Sequence, residues 1–267
     1  MKHFIYILFI YAAVSSCKTK TENTETTIDS TAVSSTEAPT ESEWISLING
    51  NSTEGWRAYN GTDLPPGWVA KDGELSFNTE LGLEQDYQGG TDIIYGNEEF
   101  ENFELSLEWK IPEGGNSGIF YHLTEGHDSP TGFSPEYQLI DDEGYTKIHD
   151  VTAYNESLGN PNPSELQPSQ KSGSDYAMYA ANPEEKVLNP VGEWNTTRIV
   201  FTPEKVEYYL NGKLTVSFVP WSDDWNERKN NGKWKNYPDY GMSKTGYIGL
   251  QDHKSPIWFR NIKIRKL

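Results

Sequence analysis

From Phe103 onward the chain reads FELSLEWKI, in which Phe103, Leu105, Leu107, Trp109 and Ile111 alternate with Glu104, Ser106, Glu108 and Lys110. A period of two fits a strand buried on one face only, because successive side chains of a strand point to opposite sides. The split continues downstream. Asn116, Gly118, Phe120 and His122 alternate with Ser117, Ile119 and Tyr121, and Glu136 and Gln138 alternate with Tyr137 and Leu139. If the three segments share one sheet, their polar faces stack into a single patch of carboxylates, amides, a lysine and an imidazole.

The rest of the chain keeps this character. Asn49-Gly50, Lys71-Asp72-Gly73 and Asn211-Gly212 are turn signals between short alternating runs. Nowhere do apolar residues recur at helical spacing for three turns. The pattern dissolves only between Asp141 and Tyr179, and again between Trp221 and Lys244, and long irregular segments in such a domain are commonly functional. The expected fold is therefore all-β, a jelly-roll sandwich of two curved antiparallel sheets with one polar outer face.

Upstream, Lys2 and His3 precede an apolar run from Phe4 to Val14, then Ser15, Ser16 and Cys17. That run is too short for a permanent span and reads as an export signal. Cys17 stands where a bacterial lipobox places its lipidated cysteine, with Val14 in place of the more usual leucine. The expectation is a lipoprotein of the bacterial cell envelope, held to the membrane by its lipid alone. Cys17 is the only cysteine, which excludes an internal disulfide. Residues 18–43 are Thr, Ser and Glu with almost no large apolar side chain, the composition of a disordered tether. Residues 44–267 hold all nine tryptophans and suffice for one β domain. They carry 19 basic and 34 acidic residues, -15 of the net -18 charge. Such a surface repels phosphate backbones and argues against nucleic acid as a partner.

Several short motifs occur in a fixed order: Gly55-Trp56, Gly115 to Tyr121 (GNSGIFY), Pro135 to Asp141 (PEYQLID), Gly192 to Asn195 (GEWN), Asn211-Gly212, Gly249 to His253 (GLQDH) and Trp258 to Ile262 (WFRNI). Together they resemble the 3-keto-disaccharide hydrolase domain family, also described as 3-keto-glucoside 1,2-lyases and 3-keto-2-hydroxy-glucal hydratases. The resemblance implies a concanavalin-A-like sandwich that acts on a small oxidised sugar or glycoside. His122 departs from it, since the family often carries arginine after the NSGIFY-like run.

A 3-keto sugar can be cleaved without the paired carboxylates of an ordinary glycosidase. The ketone acidifies the C2 proton, a base removes it, and the C1 substituent leaves by elimination. The polar face offers Glu136 or His253 as base and Lys110 or His122 to stabilise the enolate. Glu108, Asn116, Gln138 and Gln251 would orient hydroxyls, and a divalent cation could take the cationic role. Two other readings use the same scaffold: a non-catalytic carbohydrate-binding module and a conventional two-carboxylate glucanase. The run Asp141-Asp142-Glu143 reads as a wet turn rather than a calcium site, and the tryptophans from Trp221 to Trp234 read mostly as buried beneath a long loop.

Overall fold

The computed structural model describes residues 42–267. Cys17, the apolar leader and nearly all of the Thr/Ser/Glu stretch lie outside the described residues. The described strands are β1 (Ile45–Ser46), β2 (Trp56–Ala58), β3 (Trp68–Lys71), β4 (Glu74–Phe77), β5 (Ile93–Phe100), β6 (Phe103–Lys110) and β7 (Asn116–Leu123). They continue with β8 (Glu136–Ile140), β9 (Asn195–Phe201), β10 (Val206–Leu210), β11 (Lys213–Phe218), β12 (Gly246–Leu250) and β13 (Ile257–Lys266).

Eight strands form one sheet in the order β11-β10-β9-β6-β13-β4-β3, with β1 also paired to β13. The other five form a second sheet, β2-β5-β12-β7-β8. Every pairing is antiparallel. This is the expected jelly-roll sandwich. Its hairpin turns obey local chemistry: Asn211 and Gly212 both take positive φ (47° and 80°), as do Asp72 and Gly73 (53° and 83°). Two consecutive left-handed residues give the turn whose twist matches the flanking strands.

The inner faces meet in one continuous core. Leu105, Leu107 and Trp109 of β6 pack with Ile199, Tyr208 and Phe259 of their own sheet and with Ile119, Tyr121, Tyr137 and Leu139 of the other. Burying each such side chain contributes about 1.5–3 kcal/mol. Polar atoms carried inside are mostly paired: Trp109 Nε1 donates to Thr197 Oγ1 at 2.9 Å, and the Tyr121 and Tyr208 hydroxyls share a 2.8 Å hydrogen bond.

The second sheet is covered on its outer face as well, so β7 and β8 are buried along their whole length. Residues 172–176 run beside β8 as a partial extra strand. Gly173 N–H donates to the Gln138 carbonyl, Gln138 N–H to Ser174, and Tyr176 N–H to Glu136. Short helices fill the two segments where alternation failed. These are α2 (Tyr145–Ile148) and α3 (Thr152–Ser157) in the first and α4 (Asp223–Asn231) in the second, following α1 (Thr79–Leu83) near β4. Two 3-10 turns, Pro168–Gln170 and Lys233–Asn236, complete the cover. Trp225 and Trp234 are buried there, as expected of most of that cluster. Asp141 is a turn residue: its carboxylate accepts from the backbone N–H groups of Gly114, Glu143 and Gly144.

Candidate active site

Because Tyr137 and Leu139 face the core, Glu136 and Gln138 face outward from β8, and Asn116 does the same from the adjacent β7. Between this face and the cover lies a cavity of about 370 Å³. Its floor is Asn116, Glu136, Gln138 and Ile140, and Gln251 and His253 close one side just beyond the end of β12. Tyr145, Asp150, Tyr154, Gln170, Tyr176 and Lys233 close the other sides. The volume lies in the range that holds a small polar ligand.

Glu136 is 4% exposed, and among the described residues its carboxylate makes no hydrogen bond or ion pair. It lies flat over Gly118 of β7, where a Cβ would come within 2.2 Å of its Oε1. Burial raises its pKa, and the nearby Lys233 ammonium opposes that rise. Burial also lowers the pKa of Lys233, with Glu136 acting against it. Lys233 is held by aromatic faces rather than by an ion pair, its Nζ lying 4.1 Å from the Tyr176 ring centre and 4.4 Å from that of Trp234. The Tyr176 and Tyr154 hydroxyls meet at 2.7 Å. The cavity thus presents a buried carboxyl and a half-buried amine to each other's field, the carboxyl with no hydrogen-bond partner and the amine held only by aromatic faces.

His253 stands at the rim, open on one side, and the protein around its other sides lowers its pKa. Its turn is braced by Asp252, which accepts from the Tyr87 hydroxyl (2.9 Å) and from Lys254 N–H (2.9 Å). Asp252 N–H in turn donates to Asp92, a carboxyl that burial pushes up to about 7. Gln251 N–H bonds the Gly118 carbonyl, tying this turn to β7. Asn116 Nδ2 donates to the Tyr145 hydroxyl at 3.4 Å, whereas its buried Oδ1 has no partner. Behind the cavity floor, Asp175 is fully enclosed. Its Oδ1 has no partner, and burial holds its pKa well above the carboxylate range.

Three expected residues lie elsewhere. The premise of a single polar patch is corrected by β6 belonging to the eight-stranded sheet, whose outer face is on the far side of the sandwich. There Glu108 accepts from Arg260 at 2.6 Å and Asn261 at 2.6 Å, and Lys110 sits 4.7 Å from the Trp194 ring centre. His122 fails for a local reason. A register shift between β12 and β7 inserts an extra residue, and His122 takes the left-handed φ of 49°. Its ring turns inward against Phe201 (4.3 Å) and Phe103 (5.7 Å), and Nε2 bonds the Glu101 carbonyl. Burial lowers its pKa to about 4, so it sits as a neutral core residue.

Lys233, Tyr154 and Tyr176 escaped sequence reasoning because they come from segments without periodicity. The one available signal was Lys233 next to Trp234 in a segment rich in aromatic residues. For the divalent cation, no three His, Cys, Asp or Glu side chains converge among the described residues, so this donor set does not fit one.

The model of the 3-keto-alpha-glucoside-1,2-lyase-like domain matches residues 43–265. The chain belongs to this family. Among its relatives, a 3-keto-disaccharide hydrolase of Bacteroides thetaiotaomicron is 32% identical over 244 residues, covering 84% of this chain and 78% of that protein. A crystal structure from Parabacteroides distasonis, described as a candidate glycosyl hydrolase, superposes with a TM-score of 0.70 at 38% identity, covering 84% of this chain and 94% of that one. A second structure from the same organism, described likewise, gives 0.59 at 28% identity over 84% of this chain and all of the other. The matched span, residues 43–265, includes the strands that frame the cavity.

Proposed function

We propose that this lyase-like domain is a carbohydrate-active hydrolase that cleaves 3-keto-glycosides by elimination followed by hydration. One observation carries the reading: a buried carboxylate with no hydrogen-bond partner faces a sugar-sized cavity beside a half-buried ammonium. The name of the Bacteroides thetaiotaomicron relative supports the substrate class. Glu136 is the base. Its raised pKa makes it a stronger proton acceptor than a surface carboxylate once it is ionised. It removes the C2 proton, and the electrons move onto the C3 ketone oxygen, where the Lys233 ammonium stabilises the enolate. The enolate re-forms its ketone, a C1–C2 double bond forms and the C1–O bond breaks. Glu136 returns the proton to the leaving oxygen, which accepts a hydrogen bond from His253 at the rim. Water then adds across the double bond, hydroxide to C1 and the proton, through Glu136, to C2. The sum is hydrolysis.

Asn116, Gln138 and Gln251 orient hydroxyls through side-chain amides, and Tyr154 and Tyr176 wall the ring. On the sequence reading, the enzyme is exported and lipid-anchored at Cys17. The deciding measurement is deuterium wash-in at C2 of a 3-keto-glucoside in D2O, with products followed by mass. The wild type exchanges and cleaves, and Glu136→Gln does neither. A binding module would exchange nothing at saturation, and a conventional glucanase would cleave the unoxidised glycoside.

A further inference from the structure

Lys233 enters the cavity from a segment that no strand fixes in place. The preceding helix α4 is polar nearly all round, and Trp225 and Lys229, four apart on one face, are its only buried side chains. The 3-10 turn that carries Lys233 starts directly after Gly232, and the chain then runs through Pro238 to Tyr240. Lys229 Nζ reaches across this loop and donates to the Pro238 carbonyl at 2.6 Å. We propose that Lys229 is a positioning residue of the active site: its bond to Pro238 ties the two ends of the loop together and so holds the Lys233 ammonium beside Glu136. The inference rests on the elimination reading above and adds the residue through which Lys233 is aimed.

Lys229 is 7% exposed and, among the described residues, forms no ion pair. Burying an ammonium against a single carbonyl is costly, and a leucine or methionine would seat α4 without that penalty. The last turn of α4 offsets part of it, because the free carbonyls there carry negative charge. What the lysine alone provides is reach, a donor on a four-carbon stem that meets a carbonyl nine residues further along the chain. The loop is gripped a second time by stacking. Trp234 lies flat on Tyr240 (4.2 Å, 9°) and Tyr240 lies nearly parallel to Trp225 (6.2 Å, 14°), all three buried. One face of α4 therefore holds the loop twice, by Trp225 through this stack and by Lys229 through the Pro238 carbonyl. Lys233 sits between the two grips. Its own ammonium has only ring faces to hold it, Tyr176 at 4.1 Å, Trp234 at 4.4 Å and Tyr154 at 5.4 Å. A ring face attracts an ammonium over a broad range of directions, so the place of Lys233 is set by its backbone.

The test is a double-mutant cycle between Lys229→Met and Lys233→Met, assayed on a 3-keto-glucoside. Methionine matches lysine in helix propensity and suits a buried site, so α4 should stay seated, with thermal unfolding as the control. We expect Lys229→Met alone to lower kcat by about tenfold or more, since a catalytic group displaced by about 1 Å loses up to about 10²-fold. It should also move the acid limb of the pH–rate profile to higher pH, as Lys233→Met does. That limb belongs to Glu136, whose pKa Lys233 holds down and Asp92 pushes up. In the Lys233→Met background, Lys229→Met should cost nothing further, because no ammonium is left to aim. A loss that multiplies in that background, an unmoved limb, or a kcat within about twofold of wild type overturns the positioning role and leaves the elimination reading intact. Should Lys229→Met fail to fold, Lys229→Gln, one atom shorter and uncharged, is read on the same cycle by the same criteria. If the wild type turns over no 3-keto-glucoside, the elimination reading falls and the role of Lys229 with it.

Discussion

Gly118→Ala separates the position of the Glu136 carboxylate from its chemistry. Gly118 sits in β7 opposite Gln138, and the Glu136 side chain crosses directly above it. A Cβ there would stand 2.2 Å from Oε1 and 2.8 Å from both Cδ and Cγ. Ordinary contact begins at 3.4 Å, so the carboxylate must retreat by roughly 1.2 Å, the difference between 3.4 and 2.2 Å. The obstacle is the end of a flexible side chain, and alanine suits a strand at least as well as glycine, so the fold should tolerate the change. Catalysis should not. A reacting group misplaced by about 1 Å loses on the order of 10²-fold in rate, equivalent to about 2.7 kcal/mol of barrier. Steady-state kinetics on a 3-keto-glucoside, with thermal unfolding as control, should show kcat down by about that factor and a melting temperature close to wild type. If kcat stays within a few-fold of wild type while the protein remains folded, Glu136 is not the base and the mechanism fails.

Replacing Lys233 with methionine should lower kcat by about 10²–10³-fold, as expected when one stabiliser of developing charge is lost. It also removes the field that holds the Glu136 pKa down, so the acid limb of the remaining pH–rate profile should move to higher pH; an unmoved limb would separate the two groups. Glu136→Gln should raise stability, because a carboxyl whose folded pKa lies above its unfolded value of 4.5 destabilises the fold progressively as pH rises past 4.5. The melting-temperature gain should therefore be largest at alkaline pH and vanish near pH 4. His122 has the opposite sign, since its folded pKa of about 4 lies below the ordinary 6.5. It costs up to about 3 kcal/mol as pH falls through that window, and His122→Phe should flatten this slope in acid melts without touching kcat/KM.

Local covalent geometry made much of this protein legible. Alternation in β6, β7 and β8 follows from the pleat of a single strand, so it reports which side chains share a face wherever the strand lies. It identified Glu136, Gln138 and Asn116 as the outward set and predicted a two-sheet sandwich. It could not report which sheet a strand joins, because that depends on partners far along the chain. Glu108 and Lys110 therefore ended on the opposite side of the molecule, and one bulge reversed His122. The cover that turns an open polar face into a cavity was equally invisible, since Lys233, Tyr154 and Tyr176 come from aperiodic segments placed only by packing. Glu136 as an outward strand residue is written in the sequence. Its burial without a partner, facing an amine across a hollow, exists only once distant segments close over it, and that enclosure is what shifts its proton affinity.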